Sequence, residues 1–250
     1  MRAASCVDHA SDSSRSFSPK KIYHTTPCVP MSFDVTRVKA GTKSLVIGKR
    51  ETGKSTLLRD IVHHNDTIPL KVEISPLETR HASDSVIHRE YSPAIVQSLV
   101  DRQEHTIHRR LPDPRAIVIL DQCMFDPSWH KEDGIKKLFT DGKRLQCTTI
   151  LAMQYPPSIS SELRDSVDFV FVMRGNTTFD LKRIYEDYCY CRHSTDEIFD
   201  TFDDFVEFVR AYEAEDSNAG SCLVIDRTAG SRNTLSYYKA VIKTDGKISL

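Results

Sequence analysis

The sequence predicts an α/β fold in which a mainly parallel central sheet is covered by helices on both faces. From Lys43 onward, short apolar runs alternate with segments of helical periodicity, which is typical of strand–helix–strand units. A glycine-containing segment at 48–55 also joins a predicted strand to a predicted helix. With 250 residues, of which 39% are hydrophobic and 28% charged, the chain is long enough to bury one core of this size.

Each predicted element follows from a local pattern. The predicted strands of the parallel part are the apolar runs at 44–47, 70–74, 116–120, 148–153 and 167–173. The predicted helices have apolar residues every three or four positions, at 54–63, 92–108, 134–144, 179–191 and about 198–209. Two late strands, 222–225 and 235–240, flank a stretch that contains Gly, Ser and Asn, and they predict a C-terminal antiparallel hairpin at one edge of the sheet.

The N-terminal segment differs from the rest of the chain. Residues 1–32 are rich in Ser and have neither apolar periodicity nor a signal-peptide core, so we expect a flexible tail before a single domain at 33–250. A mitochondrial transit peptide is the weaker alternative, because Asp8 and Asp12 interrupt the acid-poor composition of such peptides. No apolar run approaches the roughly 18 residues of a membrane span, so we do not expect a membrane protein.

Charge and cysteine content exclude several classes of protein. The 34 Lys and Arg residues nearly cancel the 35 Asp and Glu residues, so any contact with DNA must be local. The seven cysteines have no C-x-x-C spacing, which argues against a disulfide framework and a zinc site. Cys189 and Cys191 with His193 lack a second pair of ligands at zinc-site spacing. A reducing intracellular compartment fits best.

The segment at 48–55 has the spacing of a known glycine-containing motif. It is Gly48-Lys49-Arg50-Glu51-Thr52-Gly53-Lys54-Ser55, which matches G-x-x-x-x-G-K-[ST] at every defined position. A helix that continues through Thr56 follows it, so backbone N–H groups and the helix dipole can hold the phosphates. We expect Lys54 to reach the β and γ oxygens and Ser55 to bind Mg²⁺. The sequence therefore predicts a three-layer P-loop NTPase that uses ATP and Mg²⁺.

A second motif ends the apolar strand that begins at Arg115. Its last residue, Asp121, is placed to hold Mg²⁺ through water. A strand-end Asp is also common as a turn or helix cap, and the phosphate loop favours the metal role. Because the strand at 70–74 lies between the two motifs in sequence, one strand and its helix can separate them in the sheet. That arrangement is typical of the ASCE, RecA-like division of P-loop proteins.

Several further segments carry a family resemblance. They are Ile119 to Asp126 with Trp129, Ile135 to Arg144, Met153 to Ile159, Leu163-Arg164 and Val167 to Val172. Together they resemble the DNA-packaging ATPases of nucleocytoplasmic large DNA viruses, the poxvirus type, in the FtsK–HerA group of DNA pumps. The resemblance covers about residues 43 to 240. It implies a homo-oligomeric ring that translocates double-stranded DNA without sequence recognition, with capsid or membrane-associated virion proteins as partners. It also implies location at assembly sites in the host cytoplasm or in the virion.

The same resemblance suggests residue roles. Gln154 is expected to be the polar sensor that touches the γ-phosphate or the attacking water. Arg164 and the Lys143-Arg144 pair are candidates for an arginine finger supplied to the next subunit. The family pattern is Asn-Gly-Arg-His where this chain has Asp141 to Arg144, so the arginine is displaced by one position.

A second departure concerns the group that polarises the attacking water. Many ASCE ATPases have an acidic residue after the metal-binding Asp, whereas this chain has Gln122, and an amide cannot accept a proton. Glu51 and Asp126 are the nearest carboxylates in sequence to take that role. Alternatively, turnover is slow.

Other readings of the function stay open at this stage. One alternative is an ATP-binding switch or assembly protein with weak hydrolysis, because Gln122 stands where many ASCE ATPases have an acidic residue. A small-molecule kinase is disfavoured by the order of the motifs and by the absence of an Arg-rich lid sequence. The basic stretch between Arg102 and Arg115 is either a loop that faces DNA or, more simply, a solvated helix face.

Overall fold

The computed structural model describes residues 31–77, 80–124, 126–189, 199, 201–216, 218–228, 234–241, 243–244 and 247–248. Several sequence predictions lie outside these ranges. They concern residues 1–30 of the tail, Cys191, His193, Ile198 and the hairpin turn at 229–233.

The described elements follow one another as the alternating pattern predicts. The strands are β1 (Met31–Ser32), β2 (Lys43–Ile47), β3 (Leu70–Ile74), β4 (Val86–His88), β5 (Ala116–Asp121), β6 (Cys147–Met153), β7 (Phe169–Met173), β8 (Ser221–Asp226), β9 (Thr234–Lys239), β10 (Lys243–Thr244) and β11 (Lys247–Ile248). The helices are α1 (Lys54–His64), α2 (Pro93–His108), α3 (Asp133–Thr140), α4 (Ser161–Asp165), α5 (Thr178–Ile184) and α6 (Phe202–Glu215). A π-helical turn, Tyr185–Cys189, continues α5.

Nine of the described strands form one sheet, in the order β1-β9-β8-β7-β2-β6-β5-β3-β4. The block from β7 to β4 is parallel throughout, whereas β8 pairs antiparallel with both β7 and β9. The predicted fold class and the C-terminal antiparallel hairpin are therefore confirmed. The hairpin is covered at its outer side by β1, which pairs parallel with β9.

The sheet separates two hydrophobic layers, because successive side chains of a strand point to opposite faces. On one face, Leu57, Leu58 and Ile61 of α1 pack against the sheet. On the other face, apolar residues of α2, α3, α5 and α6 pack against it. Helices therefore cover both faces, as predicted. No helix among the described residues is long and apolar enough to cross a membrane.

The structure corrects three expectations. The strand that separates the two motif-bearing strands β2 and β5 is β6, not β3, which lies beyond β5. One strand does separate them, as predicted, but it is a different strand because order in the sequence does not fix order in the sheet. The third predicted helix ends at Thr140 instead of 144, and α4 was not predicted because five residues carry little periodicity. The basic stretch 102–115 is mostly the end of α2 followed by the turn that leads to β5.

Candidate nucleotide-binding site

The phosphate loop joins β2 to α1 and is tied to its neighbours by close backbone contacts. The Gly48 N–H donates to the carbonyl oxygen of Met153 at 3.1 Å. A Cβ at Gly48 would lie 2.3 Å from the Met173 side chain. Gly53 has φ +95°, and its Cβ would lie 2.1 Å from the backbone nitrogen of Gly220. Both motif glycines are therefore required by packing, and Gly53 is also required by its left-handed conformation.

Lys54 lies buried at the centre of the loop. Its Nζ donates to the carbonyl oxygens of Gly48 and Lys49, each at 2.6 Å. Burial lowers the pKa of Lys54, while the charge of Asp121 opposes that change. The ammonium group is thus held within the loop, in position to exchange these carbonyl oxygens for phosphate oxygens.

A cavity of about 530 Å³ lies over the loop, a volume within the range of ligand sites. It is lined by Arg50, Glu51, Gly53, Lys54, Ser55, Thr56, Leu77, Gln122 and Ala219. Of the predicted phosphate-binding residues, Gly48, Lys49 and Thr52 shape the loop without lining the cavity. Thr52 does so by donating its hydroxyl hydrogen to the Lys49 carbonyl oxygen at 2.9 Å. The start of α1 faces the cavity, which favours an anion there.

Asp121 lies at the end of β5 on the α1 face of the sheet. It follows Ile117 and Ile119 in the strand alternation, and both of those residues pack on the α1 side. Burial raises the pKa of Asp121, and the charges of His81 and Lys54 act in the opposite direction. Its Oδ2 is buried and has no hydrogen-bond partner among the described residues. Such an orphaned carboxylate oxygen fits a position that awaits a cation or its water.

Ser55 and Asp121 are the residues that fit Mg²⁺. No group of three or more His, Cys, Asp or Glu side chains suited to a metal occurs in the described part of the chain. A metal here would need nucleotide and water oxygens besides one carboxylate and one hydroxyl, which is the usual way that proteins bind Mg²⁺ with phosphates. The predicted metal roles of Ser55 and Asp121 stay predictions.

Gln122 and Gln154 form a hydrogen-bonded pair beside the cavity. Gln122 has φ +52°, which breaks the strand alternation directly after Asp121. Its Nε2 lies 3.4 Å from Asp121 Oδ1, and its Oε1 accepts a hydrogen bond from Gln154 Nε2 at 2.6 Å. Gln154 therefore lies next to the residue that follows Asp121, and its sensor role stays a prediction. Neither amide can accept a proton from water.

Glu51 and Asp126, the two candidate carboxylates for activating water, line different cavities. Glu51 is exposed, has φ +64° and lines the cavity over the phosphate loop. The Asp126 carboxylate accepts hydrogen bonds from the Ser128 N–H and hydroxyl at 2.8 and 2.9 Å, and it lines a neighbouring cavity. The geometry favours Glu51.

The candidate arginine fingers lie near the amino-terminal ends of the parallel strands, whereas the phosphate loop lies at their carboxyl-terminal ends. Arg144 precedes β6 and bonds to Asp141 and Glu104 at 2.8 and 3.2 Å. Arg164 lies in α4, close to the start of β7, and pairs with Asp187. Both arginines precede the strands next to them, β6 and β7, whereas the loop follows the end of β2, which is parallel to both. The fold does not bring either arginine together with the phosphate loop of its own chain.

Sequence reasoning missed a buried polar pair behind Asp121. Glu73 of β3 and His81 are both buried, and their side chains are bonded to each other. One signal was present in the sequence: Lys71 and Glu73 alternate with apolar residues, which places two charges on one face of a central strand. Buried charges of this kind require partners.

Sequence relatives of the chain are proteins of large DNA viruses. It is 28% identical over 173 residues to uncharacterized protein L437 of Acanthamoeba polyphaga mimivirus, covering 63% of this chain and 61% of that protein. It is 32% identical over 155 residues to uncharacterized protein 075L of Invertebrate iridescent virus 6, covering 59% and 60%. The match thus spans about 60% of the length of these curated relatives. No family model matches the chain.

A solved structure with a similar fold is the genome packaging NTPase B204 from Sulfolobus turreted icosahedral virus 2 in complex with AMPPCP. The TM-score is 0.56 at 12% identity, over 81% of this chain and 98% of that one. At this identity the likeness concerns the fold. The chain therefore has its relatives among nucleocytoplasmic large DNA viruses and the fold of viral genome-packaging P-loop NTPases, and the resemblance noted in its sequence is confirmed.

Proposed function

We propose that the chain is an ATP-hydrolysing motor that moves double-stranded DNA into a viral capsid. The observation that carries this proposal is the phosphate loop with buried Lys54, beside the orphaned Asp121 carboxylate. The fold shared with a viral genome-packaging NTPase supports the packaging role. The ATP analogue in that NTPase supports ATP as the nucleotide.

The chemistry follows from the groups around the cavity. Loop N–H groups and Lys54 bind the phosphates, and Ser55 and Asp121 would hold Mg²⁺, which neutralises charge on the β and γ oxygens when bound. Gln122, fixed by Gln154, orients the attacking water. Glu51 is the carboxylate placed to accept its proton.

The proposed motor works as a ring of identical subunits. Arg144 and Arg164 lie away from the phosphate loop of their own chain, so either would act only on the nucleotide of a neighbour. The DNA is bound through its backbone without sequence recognition, and the contact is local because 34 Lys and Arg residues nearly cancel 35 Asp and Glu residues. Capsid or virion membrane proteins at assembly sites in the host cytoplasm are the proposed partners.

The first experiment is ATP turnover with and without duplex DNA. Lys54→Ala should abolish turnover and weaken nucleotide binding, because it removes the buried cation from the loop. Lys182→Ala is the matched control, since Lys182 lies exposed on α5 and pairs with Glu186 of the π-helical turn that follows. Normal turnover by folded Lys54→Ala would refute the assignment of the loop. An ATP turnover rate that is the same with and without duplex DNA would argue against the motor.

The second candidate is an ATP-binding switch with weak hydrolysis, favoured by the Gln122–Gln154 pair at the position of the usual carboxylate. If Glu51 is the base, Glu51→Gln should reduce turnover by about 10²-fold, and Gln122→Glu should leave it flat or lower because two carboxylates then repel. If no base is present, Gln122→Glu should raise turnover. Asp126→Asn tests the other candidate carboxylate, and it should match the parent if Glu51 is the base, because the Asp126 carboxylate is bonded to Ser128 of its own turn. Turnover equal to the parent in all three variants would refute both accounts.

A further inference from the structure

Glu73 is a buried carboxylate whose oxygens are saturated by donors. It accepts hydrogen bonds from the backbone N–H groups of His81 and Ala82, at 3.0 and 2.9 Å. The Ser85 hydroxyl and the His81 ring donate to it as well, the latter at 2.9 Å. Because an ionised carboxylate only accepts, the hydrogen on His81 Nδ1 must point to Glu73. The ring of His81 is therefore fixed in orientation by the strand next to β5.

The other ring nitrogen of His81 points toward Asp121. Its Nε2 lies 3.8 Å from Asp121 Oδ2, which is too long for a direct hydrogen bond. Both atoms are buried, and neither has a hydrogen-bond partner among the described residues. Two buried polar atoms therefore face each other across a space that no group of the described residues fills.

We propose that His81 is a positioning residue for the metal site at Asp121, with its Nε2 and Asp121 Oδ2 hydrogen-bonded to one water of a hydrated cation. This inference rests on the proposed function, because it requires a hydrated Mg²⁺ at Asp121. Glu73 serves as the anchor that keeps the ring in place and does not touch the nucleotide. The arrangement is a carboxylate–histidine support of the kind that orients metal sites from their outer shell.

The geometry excludes one simpler role for this pair. Glu73 cannot serve as the base that activates water, since its oxygens already accept from four groups. A direct ion pair between His81 Nε2 and Asp121 Oδ2, which lie 3.8 Å apart, is the alternative to a shared water, and the test below separates the two.

The test compares two substitutions that keep different halves of the imidazole. His81→Asn places an amide near Nδ1 and keeps the bond to Glu73, whereas His81→Gln places one near Nε2. Binding of a fluorescent ATP analogue is measured against Mg²⁺ concentration. His81→Asn should raise the half-saturating Mg²⁺ concentration about 10- to 100-fold, His81→Gln less so, and metal-free nucleotide binding should not change. His63→Asn on the exposed end of α1 is the control.

A purely structural role predicts a different pattern. Both variants would then lower the thermal midpoint alike and leave the Mg²⁺ dependence as in the parent, which overturns the inference while the proposed function stands. A parent that binds no nucleotide overturns both. The unsubstituted chain gives a check that needs no variant: Mn²⁺ added with ADP should broaden the ring resonances of one buried histidine ahead of the exposed ones. No such broadening would also overturn the inference.

Discussion

Glu73→Gln should destabilise the fold strongly at neutral pH and much less in acid. Burial by itself would raise the pKa of Glu73, yet hydrogen bonds from His81, Ser85 and the backbone lower it from 4.5 to about 2. At roughly 1.4 kcal/mol per pKa unit, this difference corresponds to about 3 kcal/mol of stability for the ionised group. Glutamine cannot replace it, since its amide would point donors at other donors.

The sign of the pH effect follows from the lowered pKa. The stabilisation by Glu73 is fully present above about pH 4.5, the unfolded value, and is lost as the pH falls toward about 2. Urea unfolding at pH 7 and at steps down to about pH 3.5 measures the free energy of unfolding of the parent and of Glu73→Gln. The difference between the two free energies should narrow below about pH 4.5. Glu186→Gln, exposed on the π-helical turn, is the control and should be neutral. A difference that stays constant with pH would refute the account of Glu73 as a saturated carboxylate.

Two further predictions concern the nucleotide site. Asp121→Asn should lose turnover mainly because it binds Mg²⁺ more weakly, since a neutral amide holds a hydrated cation less well than a carboxylate. A Mg²⁺ titration of turnover equal to that of the parent would contradict the metal role. Gly53→Ala should abolish nucleotide binding, since its Cβ would overlap the Gly220 backbone at 2.1 Å. Gly175 also has a positive φ, +76°, but a Cβ there would have nothing within 4 Å, so Gly175→Ala should cost only about 1 to 2 kcal/mol of unfolding free energy and leave nucleotide binding intact.

Much of the fold was predictable because its local signals are strong. Strand β3 coincides with the predicted 70–74, and α1 and α2 differ from prediction by one residue at an end. The helices have long apolar stripes that packing reinforces, and β3 has apolar residues at every second position. The order of β6 and β3 in the sheet was not predictable in this way, since it depends on which strands pair across the chain.

The candidate site was predictable only where a motif fixes the chemistry. The loop at 48–55 and Asp121 carry recognisable spacing, so their placement could be expected. Glu73 and His81 are eight positions apart and belong to no motif. Their contact arises because the chain turns back after β3 and lays His81 against the strand next to β5. Only the three-dimensional pairing brings them to Asp121.

The position of β6 explains how the phosphate loop and the metal motif can act together. The Gly48 N–H donates to the carbonyl oxygen of Met153, and the Gln122 N–H donates to that of Ala152, so adjacent peptides of one strand hold both motifs. Gln154, the next residue, bonds to the Gln122 side chain. In the proposed motor, a shift of the loop on phosphate release would therefore move the same short stretch of backbone that positions Gln122. Two of these three hydrogen bonds are made by main-chain atoms, so side-chain substitutions in β6 would leave them in place. The third is made by the side chain of Gln154, so a substitution there can remove it. Gln154→Ala should accordingly uncouple the Gln122 side chain from the strand while leaving Mg²⁺-dependent nucleotide binding near that of the parent, and a loss of binding as large as its loss of turnover would refute this account.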